Sequence, residues 1–259
     1  METVEEYKPL NIDIGFSILT DDNGTRFLTW KNGRYKFPIG PMGYIPKSGL
    51  FFYDILQSIV QNKSVLDLGC GEMGIISLLS LINNAKNVTA VDIDNNCISW
   101  LEHIKKENNF HNLTILESDM FQNIHDKFDI IVSNPPIMPM EHISADNIHD
   151  SGGIDGRFYL TTIMQSALNY LTDKGCLCLS AFSFLGTDIV TGNQISLKEY
   201  ALQTGYKSFE IVKKVIKPLA KDSVTYRQLP YIRKIYPKMP ALEYHGRPAV
   251  EFQILRIEK

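Results

Sequence analysis

Several features that would place a protein in a special class are missing from this sequence of 259 residues. No apolar run approaches the roughly 20 residues that a helix needs to cross a bilayer. The start of the chain, residues 1–8, is acidic and polar, unlike a signal peptide. There is no low-complexity tract and no obvious repeat. These absences predict a soluble globular protein of the cytoplasm, with no membrane partner.

Cysteine is also scarce, with four in the chain at positions 70, 97, 176 and 178. Their spacing does not match the paired knuckles of a zinc site. Cys176 and Cys178 lie two residues apart in an apolar run, so they share one face of a predicted strand. We expect buried, reduced thiols.

An excess of positive charge, typical of nucleic-acid binding proteins, is missing as well, because the net charge is −3. The charge is unevenly distributed, however. Between Lys217 and Arg247, seven Lys and Arg residues stand against two acids, which leaves +5 locally. Four tyrosines lie among these basic residues: Tyr226, Tyr231, Tyr236 and Tyr244. Such a segment is typical either of a charged surface flap or of a surface that binds single-stranded nucleic acid or an acidic substrate.

The N-terminal part of the chain predicts a small β-meander over residues 12–40. Asn23-Gly24 and Asn32-Gly33 are strong hairpin signals between short strand-like runs. A stretch of alternating prolines and glycines follows and is typical of a linker. Ser48 then predicts the cap of a helix that runs to about Gln61.

From Ser64 onward, predicted strands and helices alternate. Short apolar strands separated by helices indicate a parallel sheet with helices on both faces. The last two strands, Phe209–Ile216 and Ala249–Ile257, have no helical crossover between them and are predicted to form an antiparallel hairpin. We therefore expect an α/β protein, with an N-terminal extension over 1–46 and a main domain over 47–259 that carries a basic insert at 217–248.

The first loop of the main domain indicates the charge of its ligand. Strand Val65–Leu68 runs into a loop, Gly69 to Gly74, with the spacing G-x-G-x-x-G of nucleotide-binding turns. Asp67 precedes this loop and Glu72 lies within it. Carboxylates here would repel a pyrophosphate by about 1 to 4 kcal/mol each. They favour a cationic ligand, such as the ammonium and sulfonium of S-adenosylmethionine.

Two further strand ends carry acids that suit a nucleoside. Asp92 ends the second strand, where a ribose diol is gripped in open α/β sheets. Asp94, two residues later, is predicted to cap the next helix. After the third strand, Asp119 can accept a hydrogen bond from an adenine amino group, while Met120 or Phe121 packs on the ring.

The fourth strand, Phe128–Val132, ends in Ser133-Asn134-Pro135-Pro136. The segment Val65 to Gly71 resembles motif I of class I methyltransferases. The Asn134-Pro135-Pro136 turn resembles the N-P-P signature of enzymes that methylate exocyclic or amide nitrogens, and the stretch Gly152 to Gly156 resembles the G-G-x-D-G of the release-factor glutamine branch. The resemblance covers roughly residues 40–185, over half the chain.

The resemblance implies a Rossmann-like fold with a mostly parallel seven-stranded sheet and S-adenosyl-L-methionine as cofactor. It also implies that the Asn134 side-chain oxygen and the Pro135 carbonyl accept hydrogen bonds from the target nitrogen, in a turn that Pro136 stiffens. The predicted catalytic set is thus Asn134, Pro135 and Pro136. The predicted cofactor-binding set is Asp67, Gly69, Cys70, Gly71, Asp92, Ile93, Asp119, Met120 and Asn134.

Two departures from the family bear on the acceptor. Ile137 follows the N-P-P turn where most relatives carry an aromatic ring, so stacking on a flipped adenine is disfavoured unless Phe158, Phe184 or an N-terminal aromatic residue replaces that ring. Ile137 and Phe158 form the predicted substrate-binding pair. The predicted meander also stands where release-factor methyltransferases carry a helical substrate domain.

A metal site is not expected. Glu141, His142, His149 and Asp150 follow the N-P-P turn, but their spacing matches no helical ligand pair, and methyl transfer from a sulfonium needs no metal. Loop polarity accounts for them.

The leading hypothesis is an enzyme that methylates a protein side-chain amide, with glutamine as the best candidate. The alternatives are a small-molecule biosynthetic N-methyltransferase and an RNA or DNA adenine amino methyltransferase, so the partner is a protein, a small molecule or a nucleic acid. Two readings outside this class are a non-catalytic cofactor-binding module, which Asn134-Pro135-Pro136 argues against, and an NAD-dependent oxidoreductase, which Asp67 and Glu72 disfavour.

Overall fold

The computed structural model describes residues 16–30, 35–41, 43, 45, 47–143 and 149–259. The predicted strand start at 12–15 and the predicted turn at Asn32-Gly33 lie outside these residues. Contacts between residues divide the chain into two compact units, one ending at Asn134 and the other covering Pro135–Lys259. The predicted division of the chain after residue 46 stays a prediction.

The N-terminal meander is present as a three-stranded antiparallel sheet. Its strands are β1(Phe16–Thr20), β2(Arg26–Trp30) and β3(Tyr35–Pro38). The predicted turn at Asn23-Gly24 is confirmed, with Gly24 at a φ of +80°. Asp21 Oδ1 accepts hydrogen bonds from the backbone N–H groups of Asn23 and Thr25, at 3.0 and 2.8 Å. Local side-chain bonds therefore fix this hairpin.

The remainder of the first unit is a parallel sheet flanked by helices. Its strands are β4(Ser64–Leu68), β5(Asn87–Asp92), β6(Leu113–Glu117) and β7(Phe128–Ser133). Its helices are α1(Lys47–Leu50), α2(Tyr53–Ile59), α3(Ile75–Ile82) and α4(Asn95–Asn108). The strand order is β7-β4-β5-β6, and each neighbouring pair is parallel. The carboxyl ends of all four strands therefore lie at one edge of the sheet.

The helices differ in burial as their sequences require. All eight residues of α3 are buried, as expected of a helix that is apolar on every side. By contrast, α4 buries only the stripe Cys97, Leu101 and Ile104. Asp94 caps α4 as predicted, since its side chain accepts from Asn96 N.

The single helix predicted from Ser48 to Gln61 is wrong, because two short helices are present instead. The chain bends between them at Phe51 and Phe52, and both rings are buried. The predicted role of Ser48 as a cap is wrong as well. Ser48 lies inside α1, and its hydroxyl accepts a hydrogen bond from a distant side chain, Asn134.

The meander is fastened to α4 by side-chain hydrogen bonds. Trp100 Nε1 donates to the carbonyl of Pro38 at 3.1 Å, and Asn108 Nδ2 donates to the carbonyl of Lys36 at 2.8 Å. The Tyr35 ring stacks near Phe110, just beyond α4, with 6.1 Å between ring centroids. Strand β3 is therefore held by the helix that follows β5.

The second unit is built around one long strand. Its strands are β8(Leu171–Phe182), β9(Ser208–Pro218), β10(Leu242–Tyr244) and β11(Arg247–Glu258), and its helices are α5(Phe158–Ala167), α6(Leu197–Thr204) and α7(Val224–Ile235). Strand β11 runs antiparallel to β8, β9 and β10. The predicted antiparallel pairing of the last two long strands is thus confirmed. In the described part of the chain, eight strands follow the meander where seven were expected.

The extra strand and an unpredicted helix both belong to the basic insert at 217–248. Helix α7 is capped by Ser223 and buries Thr225, Leu229 and Ile232 on one face. The interior Pro230 and the charged residues of α7 obscured the helical spacing of these buried residues in the sequence. The insert is therefore a packed helix followed by a short hairpin strand, β10.

The expected fold class is confirmed: a mostly parallel central sheet with helices, preceded by a small antiparallel sheet. All four cysteines are buried free thiols. Among the described residues, no helix combines the length and apolar character required to traverse a bilayer.

Candidate active site

The glycine-rich loop between β4 and α3 gives a ligand close access to the backbone. Gly69 and Gly71 have φ values of +75° and +65°, a left-handed conformation that favours glycine. A Cβ atom at either residue would meet nothing within 4 Å. At Gly74 a Cβ atom would lie 2.6 Å from Leu101 Cδ1. The first two glycines therefore leave room for a ligand, whereas the third lets α3 pack on α4.

Asp67 lies near the end of β4, beneath this loop, and not on the surface. The side chain is completely buried. Its Oδ2 accepts from the backbone N–H and the hydroxyl of Ser77, at 2.8 and 2.7 Å, while Oδ1 has no hydrogen-bond partner among the described residues. Burial raises the pKa of this carboxyl to about 7, although the bonds from Ser77 oppose the shift. A direct contact between Asp67 and a cofactor stays a prediction.

The raised pKa of Asp67 predicts a pH-dependent stability. The pKa of Asp67 is about 7 in the folded protein, against 3.8 for an unperturbed carboxyl. The stabilisation that protonated Asp67 contributes is therefore complete below pH 3.8 and is lost as the pH rises through 7. Asp67→Asn keeps the hydrogen-bond acceptor but cannot ionise. Between pH 5 and 8, we expect the wild type to lose about 2 to 3 kcal/mol more unfolding free energy than this variant. Urea titrations at both pH values measure the difference.

A matched control for Asp67→Asn is the exposed carboxylate Asp126. Asp126→Asn should leave the pH dependence of stability as it is in the wild type. Equal pH dependence in the wild type and in Asp67→Asn would show that Asp67 is ionised throughout this range.

Asp92 braces the same loop from the end of β5. One carboxylate oxygen accepts from Gly71 N at 2.8 Å, and the other accepts from Asp94 N at 3.0 Å. The side chain is only partly buried, and each oxygen has a second lone pair. Asp92 therefore couples the glycine loop to the start of α4 and retains capacity to accept from a ribose. That ribose contact stays a prediction.

Candidate adenine contacts follow β5 and β6. Ile93 is 65% exposed, an unusual position for a large aliphatic side chain. Asp119 is exposed, and Met120 is half-buried with a φ of +51°. The Ser118 hydroxyl donates to the Met120 carbonyl at 3.0 Å and stabilises this turn. The three predicted residues thus lie at two neighbouring strand ends, and their contact with adenine stays a prediction.

The catalytic candidate Asn134 lies at the same edge of the sheet as the glycine loop. The hydroxyl of Ser133 donates to the Leu68 carbonyl at 2.6 Å, which ties the end of β7 to the end of β4. Asn134 follows at once and is half-buried. Its Nδ2 donates to Ser48 Oγ at 3.0 Å. The Asn134 amide is therefore held next to the strand end from which the loop begins.

In the second unit, the segment that follows the N-P-P turn is tightly enclosed. Pro135 is buried and Ile137 is only 7% exposed. Met138 N donates to the Asp150 carbonyl, and Gly152 N donates to the Met138 carbonyl, both at 2.9 Å. Ile137 thus presents little surface to a substrate, and its predicted substrate contact stays a prediction.

The G-G-x-D-G stretch supports this segment through close backbone contact. A Cβ atom at Gly152 would lie 2.8 Å from Ile137 Cα. Gly156 has a φ of +77°, and a Cβ atom there would lie 2.7 Å from the Ile137 carbonyl oxygen. Only glycine fits at these two positions without displacing the backbone. The motif therefore shapes the chain immediately after the N-P-P turn.

Two of the candidates to replace the missing ring after Pro136, Phe158 and Phe184, differ in exposure. Phe158 is 58% exposed, whereas Phe184 is buried. Ile154, in the G-G-x-D-G stretch, is also exposed, at 68%. An apolar surface therefore surrounds the start of α5.

The basic insert is anchored to this stretch. The Tyr231 hydroxyl donates to the Ile154 carbonyl at 3.1 Å, and the Tyr236 hydroxyl donates to the Asp155 carbonyl at 2.6 Å. Lys234 forms an ion pair with Glu141 at 3.4 Å. Two of the four tyrosines in the insert thus serve as structural hydrogen-bond donors.

A partly buried polar network adjoins the stretch and was not predicted. Asp155 accepts from Arg157 N and from Gln194 Nε2, at 2.9 and 2.7 Å. The Arg157 guanidinium is buried, donates to the Ile195 carbonyl at 2.8 Å, and has its pKa lowered by burial. These residues line a cleft of about 150 Å³. Only the aspartate of the G-G-x-D-G motif hinted at this network in the sequence.

Sequence reasoning missed two serines of the first unit, Ser48 and Ser77. Each bonds a residue of the predicted site, Asn134 and Asp67 respectively. For Ser77, the signal was its position in the helix after the glycine loop. Within the described ranges, no three His, Cys, Asp or Glu side chains are grouped so that they could hold a metal ion.

The parallel strands, the glycine loop and the N-P-P turn together define a Rossmann-like protein of the class I methyltransferase type. A structural neighbour shares the fold: a 16S rRNA methyltransferase of T. thermophilus in complex with AdoMet and guanosine, with a TM-score of 0.52 and 18% identity over 94% of this chain and 50% of that one.

The family profile described as the methyltransferase small domain matches residues 47–213. This chain therefore belongs to the methyltransferase small domain family. One relative, from Methanocaldococcus jannaschii, is provisionally named a protein N5-glutamine methyltransferase and is 36% identical over 49% of this chain and 66% of its own length. Another, a ribosomal RNA small subunit methyltransferase C of Mannheimia succiniciproducens, is 42% identical over 51% of this chain and 36% of its own length. The chain thus spans less than two thirds of each relative.

Proposed function

We propose that this chain is an S-adenosylmethionine-dependent N-methyltransferase that acts on the side-chain amide of a protein glutamine. The observation that carries the proposal is the hydrogen bond between Ser133 and the Leu68 carbonyl. It brings the glycine loop and Asn134 to neighbouring strand ends, where open α/β sheets bind their ligands.

The residues of the first unit fit the cofactor. Gly69 and Gly71 face open space, so the backbone can approach a bound methionine moiety. Asp67 Oδ1 is a buried acceptor without a partner among the described residues, which favours a cationic ligand nearby. Asp92, Ile93 and Asp119 would hold the nucleoside, and Met120 would pack on its ring.

The bound cofactor would supply an electrophilic methyl group on a sulfonium. A glutamine amide nitrogen is a weak nucleophile because its lone pair is delocalised into the carbonyl. The Asn134 side-chain oxygen and the Pro135 carbonyl would accept its two N–H bonds and stabilise the positive charge that develops on nitrogen. Transfer would form a C–N bond at the expense of the C–S bond of the donor, and the nitrogen would then pass one proton to water. Alignment of the two reactants supplies much of the remaining rate enhancement.

The surface that would meet the methyl acceptor favours a protein over a nucleic acid. Ile143, Ile154 and Phe158 are more than half exposed. The basic helix α7 is held near them, because Tyr231 bonds the Ile154 carbonyl and Lys234 pairs with Glu141. A surface that is both apolar and basic suits an acidic polypeptide segment. The tyrosines that could stack on bases are in part committed to the protein itself.

A second candidate is an amino group of an RNA base, because the exposed Phe158 ring offers a stacking surface. The name of the relative from Mannheimia succiniciproducens points the same way.

One experiment separates these functions. The full chain is first titrated by calorimetry with S-adenosylmethionine and with NAD, and only the former should bind. It is then incubated with a labelled methyl donor and, in turn, a release factor, ribosomal RNA and cell metabolites. Label on a glutamine of the protein acceptor, located by mass spectrometry, is the expected result. Label confined to RNA or metabolites, or binding of NAD alone, would contradict the proposal.

The basic insert should contribute to acceptor affinity. Arg233 and Lys238 are exposed residues of the insert. Reversing both charges, with Arg233→Glu and Lys238→Glu, should raise the KM for the protein acceptor about tenfold at low salt, and less in 0.5 M salt because of screening. Calorimetry should find the affinity for S-adenosylmethionine unchanged.

The control for the insert is Lys174→Glu, which reverses an exposed charge elsewhere in the second unit. This variant should keep the wild-type KM. If the insert variant also kept it, the insert would have no part in acceptor binding.

A further inference from the structure

Asn134 makes a hydrogen bond that could not be predicted from the N-P-P motif. Its Nδ2 donates to the hydroxyl oxygen of Ser48 at 3.0 Å, and 86 residues separate the two in the sequence. Ser48 belongs to α1, upstream of the first parallel strand. Both side chains are half-buried, so water competes only partly for this bond.

The direction of this bond matters because an amide side chain has two different ends. The proposed reaction requires the oxygen of Asn134 to accept from the target nitrogen. If the amide were turned by 180°, its NH2 group would face the N–H bonds of the acceptor, and two donors cannot bond each other. The bond from Nδ2 to Ser48 Oγ restrains rotation of the side chain in the orientation in which Nδ2, and not Oδ1, faces Ser48.

We propose that Ser48 is a positioning residue that holds the Asn134 amide in its productive orientation. The proposal rests on the proposed function. In this role Ser48 touches neither the cofactor nor the acceptor, and it acts only through Asn134. Its effect should fall on the rate of the chemical step and leave cofactor affinity unaffected.

The fold holds Ser48 firmly enough for this role. The carbonyl of Ser48 accepts from Phe51 N at 3.2 Å. The next residue, Gly49, lies so close to α3 that a Cβ atom there would be 3.2 Å from Ile75 Cγ2. Ile75 is the first residue of α3, directly after the glycine loop. Helix α1 is thus seated on the helix that follows the loop, and the Ser48 hydroxyl is placed by that packing.

Upstream, Gly40 makes a similar close approach to the glycine loop. A Cβ atom there would collide with the carboxylate of Glu72, which is itself buried. The segment that contains Ser48 therefore has contacts with the loop region at two separate points. The hydroxyl of Ser48 links this segment to the end of β7.

The test compares Ser48→Ala, Ser48→Thr and the wild type in the same assay with the protein acceptor. Ser48→Ala should lower kcat about tenfold and leave the KM for the acceptor and the affinity for S-adenosylmethionine near their wild-type values. Ser48→Thr retains the hydroxyl and should recover most of the rate. Ser58→Ala removes an exposed hydroxyl that bonds the Ile55 carbonyl of its own helix, and serves as the control.

A crystal structure of Ser48→Ala with S-adenosylhomocysteine gives a readout that needs no acceptor. The Asn134 side chain should be rotated or present in two conformers. If it kept the single wild-type position, or if kcat were unchanged while the wild type was active, the positioning role of Ser48 would be refuted. A wild type that methylates no acceptor would overturn the proposed function instead, and the conformation of Asn134 would still decide the question of Ser48.

Discussion

Replacing Asn134 with alanine should lower kcat by a factor on the order of 10² to 10³, since the amide stabilises charge that develops only in the transition state. The Pro135 carbonyl remains and can still accept one N–H bond, so binding of the acceptor should weaken far less than the rate. Cofactor affinity should be nearly intact, because the buried Asp67 belongs to β4 and the open glycines to the loop that follows β4, not to the N-P-P turn. Steady-state kinetics and calorimetry on the same preparation measure both quantities.

The matched control is Asn169→Ala, which removes an exposed asparagine side chain at the end of α5. It should keep the wild-type kcat. Full turnover by Asn134→Ala would remove this amide from the mechanism and leave the N-P-P turn as a structural element only. Loss of cofactor binding along with turnover would instead indicate a collapse of the sheet edge.

Gly156→Ala should destabilise the protein by about 2 to 4 kcal/mol. A φ of +77° is costly for alanine, by about 1 to 2 kcal/mol. The new Cβ atom would also lie 2.7 Å from the Ile137 carbonyl oxygen, and such overpacking costs about 1 to 3 kcal/mol more. Because the displaced backbone directly follows the N-P-P turn, turnover should also fall in the fraction that remains folded. Urea denaturation measures the stability and single-turnover kinetics the rate.

Gly246→Ala separates the two causes. Gly246 has a φ of +72°, but a Cβ atom there would meet nothing within 4 Å. It should therefore show the conformational cost alone, about 1 to 2 kcal/mol, with turnover unchanged. If the two variants were equally stable and equally active, the close packing of Gly156 on Ile137 would have no functional weight.

The sequence was sufficient for features whose signals are local. Each strand of the parallel sheet is a short apolar run next to a turn, so β4 and β7 could be placed to within one residue. The cap at Asp94 and the hairpin at Asn23-Gly24 follow from residues that bond their own neighbours. Because parallel strands end at one edge, the grouping of the glycine loop with Asn134 could also be predicted.

Features that depend on distant contacts could not be predicted. Ser48 has the residue type and position of a helix cap, and only the folded chain brings its hydroxyl to Asn134. Helix α7 was missed because Pro230 and the surrounding charges mask a buried stripe of only three residues. The sequence shows that Asp67 is acidic but not how deeply it is buried, whereas the structure buries this carboxyl completely and bonds it to Ser77.

The attachment of β3 to α4 limits how this family member could be re-engineered. If β1 to β3 were exchanged for the N-terminal segment of another methyltransferase, the indole N–H of Trp100 and the amide of Asn108 would lose their carbonyl partners in β3. A working chimaera would have to carry matching changes on the outer side of that helix. The meander and the helix are best transplanted as one module.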